Sequence, residues 1–218
     1  MLFRSARAYL YSSDFVKVSI ALLQDEGVQL EAFAGRKLAE RLGRIRNTHL
    51  TTGDAASKPQ GIVTGAGAGV TAASATAVTY NELIDLEHTV DRAYRRAELG
   101  CGYMFADATF KALRKLADSQ LRPLWVPWLG SGVAGAVPAT FNGWNYTINN
   151  DMAAMTTGNR SILFGSGKDG YLVRTVAQMS LIRVEERFID NGQVAFLLFS
   201  RFDGLVVDQA GLRVLTQA

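Results

Sequence analysis

The sequence predicts a mixed helix-and-sheet fold organised around one long helix, and three observations support this. From Val28 to Thr48 the residues Leu30, Phe33, Ala34, Leu38, Leu42 and Ile45 recur at helical spacing. They form an apolar stripe that has to be buried, most readily on a sheet. Two later stretches, opening at Thr79 and Asp107, combine helix-start signals with apolar stripes of their own. Two long strand-like runs, Tyr171 to Phe188 and Val194 to Phe202, flank a turn at Asp190, Asn191 and Gly192.

Composition sets the outer limits. A chain of 218 residues, 48% hydrophobic and 20% charged, is long enough to bury a core and to hold one domain or two small ones. That balance excludes a disordered chain. A net charge of +3 implies a polyanionic ligand only if the charge is clustered. Cys101 is the only cysteine, which excludes an intrachain disulfide and a thiolate metal cluster and suits a reducing compartment. The uncharged runs Gly61 to Val78 and Leu124 to Asn150 do not read as membrane spans. The first is mostly Gly, Ala, Thr and Ser, and Pro127, Pro138 and several glycines break the second. No signal peptide is expected.

Taken in order, Arg7 to Val18 reads as a strand with Tyr9 and Tyr11 on one face and Leu10 on the other, and no preceding strand is available to pair with it. Met1 to Ser5 carries no weight in this reading. Ser19 to Asp25 is a short helical turn, set off from the long helix by Gly27. The long helix should stop near Thr48 to Gly53, since Asn47, Thr48, Thr51 and Thr52 are poor helix formers and Gly53 can end the run. Pro59 and five glycines make Gly53 to Gly69 a loop, and Val70 to Val78 follows as a small-residue strand. Thr79 and Glu82 have capping-box spacing, with Leu83, Leu86, Val90, Ala93 and Tyr94 as the buried stripe. Gly100 to Phe105 is a short strand. Asp107 caps a helix through about Asp118, with Phe110, Leu113 and Leu116 inward. Asn142 to Asn150 and Ser161 to Phe164 are strands. The run from Val194 to Phe199 is apolar on both faces, as expected of a central, covered strand.

Motifs for catalysis fail on spacing. Gly65, Gly67 and Gly69 imitate a dinucleotide loop, but the third glycine comes one position early and no capped helix follows. Gly167 and Lys168 imitate the end of a phosphate loop, but Asp169 stands where Ser or Thr is required and Ile162 where the first glycine belongs. His49 and His88, with Glu87, lack zinc-site spacing and read as solvated, and Cys101 reads as a small buried thiol without a base. No catalytic, cofactor or metal site is expected. The polar face of the long helix is ionic: Arg36, Lys37, Arg41, Arg44 and Arg46 stand against the single acid Glu40. Such a rail is either a solvated surface or a face turned toward a polyanion.

The second half contains, in order, TYNELIDLEHTVDRAYRRAE, YMFADATFKALRKLADSQLRPLW, NGWNYTINNDM, SILFGSGKDGYLVR and QVAFLLFSRFDGLVVDQAGLRVL, and upstream lie KVSIALLQD and TTGDAASKPQGIV. Over roughly Tyr9 to Leu215 these phrases resemble the major capsid protein of tailed phages, the shell fold named for phage Hong Kong 97. The resemblance implies an α+β subunit with a long spine helix on a sheet in a peripheral domain, and a mixed axial domain. Residues 17–78 and 171–199 would form the peripheral domain with the spine helix at 28–48. Residues 79–170 and about 200–218 would form the axial domain. Residues 1–16 would be the returning half of an extended loop that reaches over a neighbouring subunit, the arm before it being missing from this chain.

The implied function is structural: self-assembly into the hexamers and pentamers of an icosahedral phage head enclosing double-stranded DNA. Implied partners are other copies of the chain, packaged DNA bound nonspecifically, and a portal, a scaffold and a maturation protease, with no membrane. The implied location is the virion, after assembly in the host cytoplasm. The rail would face phosphate. Arg183, Glu185, Glu186 and Arg187 would pair between subunits. Trp125 and Trp128 would lie near the capsomer axis against symmetry mates, or pack on their own domain. The lysine-to-asparagine crosslink of some family members is not expected, because Leu2 to Val16 holds no lysine and Val194 to Phe199 no glutamate. Two other readings stand beside this one: an encapsulin-like nanocompartment shell around a cargo protein, and an enzyme of unrelated fold.

Overall fold

The computed structural model describes residues 8–24, 30–118, 120, 122, 124 and 140–218. It divides into two units, Met1–Gln60 with Val173–Gly204 and Gly61–Leu172 with Leu205–Ala218.

In the first unit the long helix, α2, spans Leu30–Thr52. It runs past its expected end because its threonines bond back into the helix: the hydroxyls of Thr48, Thr51 and Thr52 donate to the carbonyls of Arg44, Asn47 and Thr48. It stops at Gly53, whose amide donates to the His49 carbonyl at 2.9 Å. A side chain there would collide with the Pro59 carbonyl. Ala34, Leu38 and Leu42 are buried against Val194, Phe196 and Leu198 of β9 (Gln193–Val206). Phe33 and Ile45, expected in the same stripe, are 48% and 41% exposed. The stripe is one side chain wide, so Phe33 falls on its flank, where the Lys37 ammonium lies 5.9 Å from the ring centroid. Ile45 lies beyond Leu42, where the packed cluster ends.

β9 is the central strand of its sheet, as its two-faced apolar run predicts. β1 (Tyr9–Ser12) and β2 (Val16–Ser19) both pair with it antiparallel, Tyr9 opposite Phe202 and Val16 opposite Phe196. The opening strand therefore has a partner in its own chain. Ser13 continues the ladder across the kink between β1 and β2. Its amide donates to the Leu198 carbonyl and its hydroxyl accepts from the Leu198 amide, both at 2.9 Å. α1 (Ile20–Gln24) is the expected helical turn. β8 (Tyr171–Val184) also pairs with β9. It ends short of Phe188 because Glu186–Asn191 winds into a 3-10 helix, closed by Gly192 at φ 61°.

The second unit is built on a six-stranded sheet. Its order is β3 (Gly67–Thr71), β10 (Leu212–Thr216), β7 (Arg160–Ser166), β4 (Cys101–Phe105), β6 (Trp144–Ile148) and β5 (Thr140–Phe141). β3 starts at Gly67 rather than Val70 because its glycines admit β10 at close range: a Cβ on Gly69 would lie 2.8 Å from the Val214 carbonyl oxygen. That parallel pairing puts residues 61–78 in the second unit, not with the long helix as expected. α3 (Ile62–Gly65) precedes β3, and its last carbonyls are held by Arg160 and Gln209.

α4 (Tyr80–Thr89) begins with the expected capping box of Thr79 and Glu82. α5 (Asp107–Leu113) is shorter than expected, and Asp107 is its first residue, the cap position being Ala106. α6 (Gly167–Gly170), capped by the Ser166 hydroxyl, occupies the stretch that imitates a phosphate loop. One face of the sheet packs Tyr103, Phe105, Ile162 and Phe164 against Leu83, Leu86, Phe110 and Leu113. Leu163, Leu212 and Val214 pack with Val63 in a separate cluster. β7, apolar and covered on both sides, is the counterpart of β9 in this unit.

Candidate interaction surfaces

The spine-helix rail divides into exposed and engaged cations. At about 100° per residue, Lys37, Arg41 and Arg44 point the same way and Arg46 points elsewhere. Arg36, Lys37, Arg41 and Arg44 are exposed. Lys37 pairs with Glu40 at 3.1 Å, and Arg41 reaches Asp14, in the kink between β1 and β2, at 3.6 Å. Both pairs are solvent-screened and hold their cations weakly, at ~0–1 kcal/mol each. Arg36 and Arg44 have no carboxylate within 4.0 Å among the described residues. Arg46 does not belong to the rail. Its guanidinium donates to the Thr175 hydroxyl at 3.2 Å and lies 5.2 Å from the Phe202 ring centroid, clamping α2 to the sheet.

Of the described residues expected between subunits, only Arg183 is on a strand. Its Nε donates to Glu185 at 2.7 Å within the chain, since the strand ends at Val184 and turns Glu185 back toward it. Glu186 and Arg187 belong to the 3-10 turn. The Arg187 guanidinium lies 5.4 Å from the ring centroid of Phe15 and 5.7 Å from that of Phe188, with the Lys17 ammonium 4.4 Å from the latter. Trp125 and Trp128 lie outside the described residues. Beside this tip Ile20, Leu23, Leu30, Gly35, Leu181 and Ile189 line a groove of about 860 Å³.

The titratable groups of the second unit are arranged for packing. Glu87 is buried, accepting from the Tyr103 hydroxyl at 2.6 Å and from the Asn142 amide, whose oxygen accepts from Tyr80 at 2.9 Å. Burial, and then the bond to Glu87, push the Tyr103 phenol far up. The Cys101 thiol is pushed up to about 11, by burial first and the Glu87 charge second, so it stays protonated and is a poor nucleophile. Neither histidine is merely solvated: His88 Nδ1 lies 3.4 Å from the Arg95 guanidinium, and His49 Nδ1 meets the Tyr11 hydroxyl. The described residues hold no cluster of three His, Cys, Asp or Glu able to bind a metal, and no helix of the described residues is long and apolar enough to cross a membrane. Sequence reading missed the Glu87–Tyr103–Asn142 network. Its sole sequence signal is Glu87 falling beside Leu86 and Leu83 on the buried side of α4.

The family model described as phage capsid family matches residues 12–217. The chain belongs to the phage capsid family. As a phage capsid protein it is a structural shell subunit of the virion, and its solved neighbours share its fold. The capsid of an empty GTA particle superposes with a TM-score of 0.84 at 22% identity, over 97% of this chain and 74% of that one. A Gordonia phage Cozz chain superposes at 0.72 and 17% identity, over 99% and 71%. The SrpI encapsulin of Synechococcus elongatus PCC 7942 gives 0.70 at 14% identity, over 96% and 73%. A comparison with curated protein sequences found no match.

Proposed function

We propose that this phage capsid protein self-assembles into the hexamers and pentamers of an icosahedral head that encloses double-stranded DNA. The observation that carries the reading is the long helix α2 laid on the β9 sheet in a chain matched by the phage capsid family over residues 12–217. The first unit would be the peripheral domain and the second the axial domain. DNA contact falls to Arg36, Lys37, Arg41 and Arg44, as nonspecific counterion-releasing contacts. Glu186, Arg187, Trp125 and Trp128 are assigned to contacts between subunits. Each is weak alone and acts by repetition around the shell. A portal, a scaffold and a maturation protease would join during assembly in the host cytoplasm.

The encapsulin reading is the alternative. The match of the phage capsid family model over residues 12–217 supports the head. Negative-stain microscopy of the full-length protein, with absorbance ratios at 260 and 280 nm before and after nuclease, tests the choice. Closed shells or six-fold rings, and nuclease-protected DNA when the phage machinery is supplied, are expected. Shells around a defined protein would establish the nanocompartment instead, and a monodisperse monomer would reject both.

A further inference from the structure

β8 is a long strand with one edge unused among the described residues. It runs Tyr171–Val184, 14 residues, and among the described residues its one ladder partner is β9. From Val173 to Ile182 the described side chains on both faces are exposed, including Val173 at 41%, Val176 at 42%, Met179 at 39%, Leu181 at 39% and Ile182 at 43%. Protein edges are ordinarily blunted by lysine, proline, a bulge or short length. Positions 173–184 contain neither lysine nor proline, and of their two arginines Arg183 is tied to Glu185. A long edge with exposed apolar side chains pairs with another strand or aggregates.

We infer that β8 docks against β8 of a second copy, antiparallel about a two-fold axis at Ala177. The inference rests on the shell-subunit reading, which requires copies of the chain to meet. The strand's own sequence selects the occupant. A two-fold axis normal to the sheet lays β8 beside an antiparallel copy of itself, and residues directly opposite each other share a face.

Two registers pair almost the whole strand. With the axis at Gln178, Arg183 stands opposite Val173 and Arg174 opposite Ile182, which sets both cations on apolar side chains. With the axis at Ala177, Val173 meets Leu181, Thr175 meets Met179 and Arg174 meets Ser180. Apolar residues then pair at Val173–Leu181 and at Leu172–Ile182, Arg174 stands opposite a hydroxyl instead of an apolar side chain, and no like charges are opposed. The outer amides and carbonyls of β8 are satisfied in the same step.

Cysteine pairing in the full chain reads this register. Val173 and Leu181 are eight positions apart, about 27 Å along one strand at about 3.4 Å per residue, so they form no disulfide within a chain. Across the axis they are opposite, with Cβ atoms about 5 Å apart. Val173→Cys with Leu181→Cys should give a disulfide-linked dimer on mild oxidation, and either substitution alone should leave the wild-type level of monomer. The pair Val173→Cys with Arg183→Cys probes the rival register and should stay monomeric. All three positions are exposed, so folding is not expected to suffer, and near-ultraviolet circular dichroism checks it. A dimer from the Val173–Arg183 pair, or equal crosslinking by single variants, overturns the inference. Rings or shells that assemble with no Val173–Leu181 crosslink overturn it too, while leaving the shell reading intact. A chain that never assembles removes the shell reading and the inference with it.

Discussion

The Tyr11 hydroxyl lies 2.7 Å from Nδ1 of His49, joining β1 to the last turn of α2. The Tyr11 ring stacks on Phe202 with centroids 4.3 Å apart and planes 9° from parallel, so strand, helix end and central strand meet at one aromatic joint. The Tyr11 phenol is pushed up to about 12, by burial first, and stays protonated throughout the neutral range. His49 is pushed below its ordinary value by burial and then by the Lys58 ammonium, with Asp54 opposing. The folded protein therefore favours the neutral imidazole. The unfolded chain takes up the proton first as pH falls, so His49 contributes fully above about 6.5, and that contribution is lost as pH drops through this value toward the lowered one. The Tm should fall between about pH 7 and 5.5, and His49→Gln should flatten the fall. Equal falls in both proteins would assign the effect to other groups.

Three glycines separate opposite effects of one added methyl group. A Cβ on Gly53 would strike the Pro59 carbonyl and one on Gly102 the Asn145 carbonyl, both fixed backbone. Gly53→Ala and Gly102→Ala should each destabilise by about 1–3 kcal/mol in urea unfolding. Gly43 lies inside α2 with nothing within 4 Å of that position, so Gly43→Ala should stabilise by about 0.5–1 kcal/mol through helix propensity alone.

The Glu87 network should respond asymmetrically. Tyr103→Phe removes a buried donor to a carboxylate and should cost about 1–3 kcal/mol. Tyr80, 38% exposed, bonds Asn142 where water can replace it, and Tyr80→Phe should change stability by less than about 0.5 kcal/mol. Equal losses would show that the network acts as one unit.

What was legible in the sequence was periodic or local. The α2 stripe gave Ala34, Leu38 and Leu42, the capping box gave the start of α4, and the two-faced run at Val194 gave a central strand. Tertiary pairing was not legible. β10 does not resemble β3 in composition, and only their parallel pairing explains why Gly67 and Gly69 are strand residues. The surface was half legible. Charge on α2 is visible in sequence, but that Arg46 turns to Phe202 depends on a ring 156 positions away in the chain, beyond any local pattern. The Arg183-to-Arg187 alternation misled for the opposite reason: it looked strand-like across a 3-10 turn.

The division of the rail gives the decisive test of DNA contact. Arg44 has no carboxylate within 4.0 Å among the described residues, whereas Arg41 has Asp14 at 3.6 Å to offset part of its charge. In filled heads, Arg44→Glu should lower genome retention on heating more than Arg41→Glu does, and the double variant most of all. Empty shells should assemble normally in every case. Added salt should narrow these differences, because phosphate contacts act largely through counterion release. Arg46→Ala should behave differently, costing about 0.5–1.5 kcal/mol of subunit stability by removing the guanidinium from Phe202 and Thr175, with unchanged DNA retention. Retention unaffected by the Arg41 and Arg44 reversals would make the rail a solvated surface. Retention lost with Arg46→Ala but not with Arg44→Glu would move the DNA-facing side to the opposite flank of α2.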